Sequence, residues 1–329
     1  MVGSGFLNIC KEPGFTSHDV VAVVRRLLAL RRVGHAGTLD PAAEGVLPIC
    51  VGRATRLVDR LADCDKGYYA EVVLGVQTRT DDAEGEMLDT AAVPNLTPAA
   101  LDAALDTFRG PILQRPPAFS AIKVGGRRAY HLARQGQAPH LQAREVTVHR
   151  LTLHWWRPPR LALTVACSKG TYIRSIARDL GEALGCGAHL ARLVRLWVGS
   201  FRLADAHSLD ELAAAIRDDA LDRHLLPPDV AIGDLSVAIV EPARAADMQH
   251  GRAWAMEAGL QRPQSRDPVG AVREPPLRPP DLSTGHDGPT TDPGLIRVYD
   301  TTGSLLGLAA ADRARGVWQP KLALPRTEA

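Results

Sequence analysis

The sequence predicts an α+β protein with a small, separate β unit near its C-terminal end, and three features lead there. Strand-like runs at 6–10, 65–76 and 161–167 alternate with segments whose apolar residues recur at helical spacing. The texture changes near Leu235, where a new set of short apolar runs begins. The chain has 329 residues, 45% of them hydrophobic, which suits one large domain or two ordinary ones with a substantial core.

Taken in order, residues 6–10 read as a strand and 11–16 as a turn. Ser17 is expected to cap a helix with Asp19 in its first turn, and Val20, Val23, Val24, Leu27 and Leu28 share one face. Residues 53–57 lead into a further helix. A strand covers 65–76, a polar loop 78–85, and Thr97 followed by Pro98 opens a helix that buries Leu101, Ala104, Leu105 and Phe108. The run 114–136 is a basic hairpin-like turn and a short helix with interleaved aromatics. After the 161–167 strand, a helix carries Ile173, Ile176, Ala177 and Leu180 on one side and stops near Gly185. In the second unit, 261–294 holds eight prolines with almost no apolar periodicity and is expected to be a disordered insertion between strands. Strands resume at 295–300 and 305–309 about a turn at 301–303, and 318–325 completes the pattern.

The net charge of +2 excludes a uniformly basic nucleic-acid coat. Cations nevertheless cluster, as Arg25, Arg26, Arg31 and Arg32 and again as Arg127, Arg128 and Arg134 around Tyr130 and His131, and local clusters hold phosphate whatever the net charge. Five scattered cysteines without a Cys-x-x-Cys pair point to free thiols in a reducing compartment rather than disulfides or zinc. No signal peptide is apparent, and no run approaches the roughly 18 apolar residues a membrane helix needs. The expectation is a soluble cytoplasmic protein.

The stretch Gly34-His35-Ala36-Gly37-Thr38-Leu39-Asp40-Pro41 stands out. Its glycines let a ligand approach the backbone, and Pro41 forces Asp40 out of the helical region. An acid on a stiffened loop, followed by a buried apolar run, suits catalysis; an aspartate before proline also suits a simple Asx turn, and the residues alone leave both open. Tyr68 reads equally as a packed strand aromatic, Arg174 as a surface helix residue, and His35 as a histidine satisfying local backbone. The acids of 78–85 are conceivable metal ligands, but a solvated loop is the expected reading. The 114–136 run has the mixture of arginine and aromatic faces with which proteins grip RNA.

These motifs, in this order, resemble the TruB family of tRNA pseudouridine synthases over residues 6 to about 230. The 34–48 stretch resembles the family signature, whose essential catalytic aspartate matches Asp40. Lys66-Gly67-Tyr68 resembles the motif that supplies an active-site tyrosine. Ser168-Lys169-Gly170-Thr171-Tyr172-Ile173-Arg174 matches a motif that places an arginine beside the aspartate and a tyrosine beneath the base. Leu193 matches a leucine bordering the base pocket, and 114–140 resembles the thumb that clamps the tRNA T-loop. The N-terminal motif departs from the family pattern, with Cys10 for aspartate and Glu12 for proline, while Lys11, Gly14, Thr16 and Ser17 match.

The resemblance implies a pseudouridine synthase fold: a central mixed, largely antiparallel sheet flanked by helices at 1–232, and a PUA-like RNA-binding β-barrel at 235–325. It implies isomerisation of uridine 55 in the tRNA T-arm by base flipping, with no cofactor or metal, by a monomer without an obligate protein partner or a membrane. Expected catalytic residues are Asp40, Tyr68 and Arg174; His35, Tyr68, Tyr172 and Leu193 would bind the nucleoside. Lys11, Lys123, Arg127, Arg128, Tyr130 and Arg134 are candidate RNA contacts. A non-catalytic tRNA chaperone, a guide-RNA-dependent synthase and, remotely, a glycosidase are the alternatives. The intact Asp40, Tyr68 and Arg174 weigh against the first. The full thumb-like run, without extra basic tails, weighs against the second, and the lack of a clearly placed second acid against the third.

Overall fold

A computed structural model describes residues 3–120, 122–137, 141–256 and 294–324. The chain divides into two compact units, Met1–Pro227 and Pro228–Ala329. The Pro-rich insertion lies outside the described residues except for Gly294.

The first unit opens with strand β1 (Gly5–Lys11) and helix α1 (Ser17–Leu28). Thr16, not Ser17, caps this helix: its hydroxyl accepts the Asp19 N–H while the Asp19 carboxylate accepts the Thr16 N–H, a reciprocal capping box. Ser17 is thereby released to bond Leu39, its hydroxyl accepting the Leu39 N–H at 2.8 Å and donating to the Leu39 carbonyl at 3.2 Å. The helix start is thus fastened to the residue before Asp40.

There follow β2 (Val33–His35), β3 (Glu44–Val51), α2 (Val58–Asp63), β4 (Lys66–Leu74) and a hairpin of β5 (Val76–Thr78) and β6 (Met87–Thr90). Helix α3 (Pro98–Asp106), capped by Thr97 as the sequence predicts, leads to β7 (Gly110–Gln114). The basic run folds as a minimal hairpin, β8 (Lys123–Val124) with β9 (Arg127–Arg128), and helix α4 (Ala129–Arg134). Long strands β10 (Arg144–Arg157) and β11 (Arg160–Cys167) precede α5 (Ile173–Ala183), β12 (Ala188–Val198), β13 (Phe201–Arg202), α6 (Leu209–Arg217) and β14 (Leu225–Leu226).

Ten of these strands form one sheet in the order β14-β1-β3-β12-β4-β11-β10-β7, with β2 on β3 and β13 on β12. Every pairing is antiparallel except β3 with β12, so the sheet is mixed and largely antiparallel, as expected. Strand alternation sends Leu47 and Ile49, Tyr68, Ala70 and Val72, and Leu161, Leu163 and Val165 into one core with Val20 and Val24 of α1, Leu101 of α3 and Ile176 and Leu180 of α5. Each Val, Leu or Ile among them contributes about 1.5–3 kcal/mol by leaving water. Central strand β12 lies between β4 and β3, and β3 follows the 34–41 loop, so the loop enters the sheet one strand from β12 and two from β4.

The second unit contains β15 (Ser236–Val240), α7 (Pro242–Gln249), β16 (Trp254–Ala255), β17 (Leu295–Asp300), β18 (Leu305–Asp312) and β19 (Val317–Ala323). Its five-stranded sheet runs β15-β17-β18-β19-β16 around Met248, Trp254, Val298, Leu306 and Trp318. The predicted turn at 301–303 is closed by the buried Asp300, whose carboxylate accepts the Thr302 and Ser304 N–H groups.

Candidate active site

Asp40 lies in the connection between β2 and β3, and Arg174 in the first turn of α5, 134 residues later. The fold brings them together: Arg174 Nη2 donates to Asp40 Oδ1 at 3.2 Å, and Nε lies 3.0 Å from Oδ2 as an ion pair without hydrogen-bond alignment. Arg174 is 4% exposed, so the surface reading of it is corrected. Its remaining valences are also fixed. Nη1 donates to the Thr80 carbonyl at 2.9 Å, Nη2 to the Phe119 carbonyl at 2.9 Å, and Nη1 sits 3.5 Å from Asp82 Oδ2. Burial pulls the Asp40 pKa above the ordinary carboxylate value and Asp82 adds to this, while Arg174 and Lys11 oppose it. The Asp40 side chain is still 39% exposed, so the acid is open to an approaching substrate while competing effects set its proton affinity.

Asp82 is a residue that sequence reasoning missed. The 78–85 segment is only in part a solvated loop: Arg79, Ala83 and Glu84 are exposed, but Thr78 and Asp82 are buried, and Asp81 is held at φ 61°, a conformation uncommon for a non-glycine residue. The segment docks on the start of β12, with the Leu190 N–H donating to the Asp81 carbonyl and the Ala83 N–H to the Leu190 carbonyl. Arg178, one turn beyond Arg174, donates to Asp81 Oδ2 at 3.0 Å and to the Arg115 carbonyl at 2.9 Å. The Thr-Arg-Thr-Asp-Asp composition reads as polar and exposed; its partners come from α5, too far along the chain for a local pattern to reveal. Among the described residues, no cluster of acids, histidines or cysteines is arranged to hold a metal ion. An open pocket of about 270 Å³ adjoins Arg178, with Arg79 and Arg115 among its lining.

Tyr68 projects from β4 into the core and is 7% exposed. Its pKa is pushed up to about 12, first by burial, while Arg195 draws it down through charge and a hydrogen bond. Gly67 beside it is required sterically, because a Cβ there would collide with the Trp197 indole.

Residues 25–173 match the model of the TruB family pseudouridylate synthase N-terminal domain, and 174–232 the model of the tRNA pseudouridylate synthase B C-terminal domain. The chain is 49% identical to tRNA pseudouridine synthase B of Symbiobacterium thermophilum over 77% of its own length and 83% of that protein. It is 40% identical to the enzyme of the same name from Xanthomonas campestris over 94% of its length and 90% of the relative. The chain belongs to the TruB family of pseudouridylate synthases. It is accordingly an isomerase. Its fold resembles a chain in a structure of an H/ACA RNP bound to a substrate RNA containing 2'-deoxyuridine, with a TM-score of 0.68 at 23% identity, covering 98% of this chain and 86% of that one. A Cbf5-Nop10-Gar1 complex contains a similar chain, with a TM-score of 0.65 at 24% identity, covering 93% of this chain and 78% of that one.

Other residues singled out by the TruB resemblance fall at varied places. His35, on β2, is not consumed by local backbone: Nδ1 finds no hydrogen-bond partner among the described residues. Burial, then the charge of Arg195, holds its pKa below the ordinary histidine value, so the ring is neutral at pH 7. Tyr172 caps α5 from outside, its N–H donating to Gln114 and its ring facing the Arg144 guanidinium at 5.3 Å. Leu193 packs half-buried at the core's edge. Lys11 is 0% exposed, and its ammonium donates to the carbonyls of Glu12, Phe15 and Pro41 at 2.7–3.0 Å. That geometry replaces the expected RNA contact with a fastener under the residue after Asp40. Lys123, Arg127, Arg128 and Arg134 are exposed on the hairpin and α4, with Arg134 5.9 Å from the half-buried Tyr130 ring.

Proposed function

We propose that the chain isomerises uridine 55 in the T-loop of tRNA to pseudouridine, acting alone as a monomer and without cofactor or metal. The observation that carries this reading is the Asp40 carboxylate gripped by the buried Arg174, with Tyr68 buried on the central strand β4. The substrate class, tRNA, is that of the relatives named tRNA pseudouridine synthase B. In the reaction the N1–C1′ bond of the nucleoside breaks and a C5–C1′ bond forms; C5 loses a proton and N1 gains one. Nothing is oxidised or reduced, so the side chains suffice.

Asp40 acts as a carboxylate on the ribose once the uridine has left the stack. Arg174 holds that carboxylate in one orientation and favours its ionised form, while Asp82 in turn orients Arg174. Tyr68 lies against the uracil and takes the C5 proton, and Tyr172 and Leu193 wall the base. Neutral His35 fills the space the base vacates in the RNA. A loop nucleotide is already partly unstacked, so extrusion costs only a few kcal/mol. The exposed cations of 123–134, together with Arg79 and Arg115 of the pocket wall, take the phosphates. The C-terminal unit is read as a PUA-like domain adding RNA contacts.

The test is incubation of a T-arm hairpin transcript with purified protein in chelator, followed by base-resolved mapping of pseudouridine. Conversion of the single T-loop uridine supports the reading. Binding without conversion would favour the chaperone or guide-dependent alternative, and conversion elsewhere would move the target.

A further inference from the structure

Arg195 is among the largest side chains buried completely, at 1% exposure, in a chain where most arginines face water. It sits on β12 between the two strands that carry the site. Its register partners are Tyr68 across β4 and Gly45 across β3. Gly45 has φ +104°, and a Cβ there would run into the Arg195 backbone, so the loop after Asp40 closes directly onto this residue.

The guanidinium is spent on the catalytic groups. Nε donates to the Val46 carbonyl at 2.7 Å, Nη2 to the Gly37 carbonyl at 3.0 Å and Nη1 to the Thr38 carbonyl at 3.4 Å, while Tyr68 stands directly across on β4 and interacts with it electrostatically. A buried cation of this kind normally pairs with a carboxylate, because desolvating an ion is expensive. Here the groups that favour its charged form are Tyr68 and Asp40. The other ionisable groups around it are Lys66 on β4, Lys11 on β1 and His35 on β2, none of them acidic.

We propose that Arg195 is a positioning residue of the isomerisation: one guanidinium holds the catalytic loop by its Gly37 and Thr38 carbonyls from the position on β12 directly across from Tyr68 on β4, fixing the two acting groups relative to each other. The inference rests on the reading of Tyr68 as the acceptor of the C5 proton. In that step the C5–H bond breaks and its electron pair forms the C5=C6 double bond. The electrons of the N1=C6 bond withdraw to N1, which takes a proton from water, and the C5 proton passes to the Tyr68 oxygen. The phenolate so consumed is regenerated by loss of that proton to water. A positive charge beside the phenol raises the fraction present as phenolate, the form able to accept the proton, and so opposes burial, which acts in the other direction on Tyr68.

The experiment compares full-length wild type, Arg195→Met, Arg195→Lys, Tyr68→Phe and Arg195→Met/Tyr68→Phe in single turnover. The RNA carries hydrogen or deuterium at C5 of whichever uridine the wild type converts, and its affinity is measured in parallel. Arg195→Met should lower the rate about 10²-fold, the scale of a lost proton-transfer contribution, with RNA affinity within a few-fold of wild type. A normal deuterium isotope effect should grow as C5–H cleavage becomes limiting. Arg195→Lys, which keeps a buried cation and serves if the methionine variant fails to fold, should fall between. In the Tyr68→Phe background removal of Arg195 should be much milder, since interacting sites are not additive. Three results would overturn the proposal: an unchanged rate, an additive loss with no change in isotope effect, or a Tyr68→Phe enzyme as fast as wild type. Failure of the substrate reading is separate, because it appears as conversion at a uridine outside the T-loop.

Discussion

The loop that carries Asp40 and the basic hairpin of 123–134 are both glycine-punctuated connections, and they are built in opposite ways. The Asp40 loop is tied down from every side. Ser17 holds Leu39, Lys11 holds Pro41, Arg195 holds Gly37 and Thr38, and Arg174 grips the carboxylate itself. Three of those four fasteners are buried cations or lie next to one. The hairpin has two-residue strands, a Gly125-Gly126 turn and cations pointing into solvent. A reacting group must be preorganised to a fraction of an ångström, whereas a phosphate grip works through charge and tolerates adjustment. The two regions therefore differ in what a mutation should damage.

The largest effect belongs to the acid itself. Asp40→Asn, nearly isosteric and unable to act as a carboxylate, should lower single-turnover conversion by about 10³-fold or more, the scale of losing a central catalytic group. Next comes its partner. Arg174→Gln should lower conversion by about 10²-fold, comparable to removal of one preorganised donor. It should also change the pH profile. With Arg174 gone, burial and Asp82 act on Asp40 with only Lys11 opposing, so its pKa rises. Activity that needs the carboxylate exists above that pKa and is lost below it, so the acidic limb of the rate profile should move to higher pH. An unmoved limb would mean that Arg174 merely packs.

The smallest pair separates helix stability from loop positioning. Thr16→Ala removes the cap of α1 and should cost about 1 kcal/mol in a denaturation midpoint with little change in rate. Ser17→Ala, one residue on, removes the bonds to Leu39. It should reduce the rate more than Thr16→Ala does for a comparable or smaller loss of stability, as read by parallel denaturation and single-turnover measurements.

Much of this division was legible in the residues. The 34–41 stretch, Tyr68 and the Thr171–Arg174 run stand out because glycine, proline and isolated charges break an otherwise apolar pattern. The thumb-like hairpin stands out because its cations and aromatics are contiguous. What escaped are the residues whose partners are remote. Asp82 looks solvated until α5 brings Arg174 to it across 92 positions. Lys11 looks like a surface cation until Pro41 lies over it. Arg195, in the charged-looking run Arg192-Leu193-Val194-Arg195, gives no local sign that β12 is the strand between β3 and β4. Ser17 and Thr16 compete for one cap, and only the Asp19 side chain, three residues from Thr16, decides between them. Periodicity locates elements; it does not reveal which charge the sheet order will bury beside which.

The central claim is that chemistry and grip are separated between these two regions. It is tested most directly by measuring single-turnover conversion and RNA dissociation constant, across a salt series, for Asp40→Asn and for the Arg127→Ala/Arg128→Ala double variant on the same T-arm RNA. Asp40→Asn should lose conversion and bind within a few-fold of wild type with an unchanged salt slope. The arginine pair should bind more weakly, with a salt slope reduced by about 1 for each phosphate contact removed, and should convert bound RNA at nearly the wild-type rate. Loss of affinity in Asp40→Asn, or a collapse of the bound-state rate in the arginine variant, would contradict it.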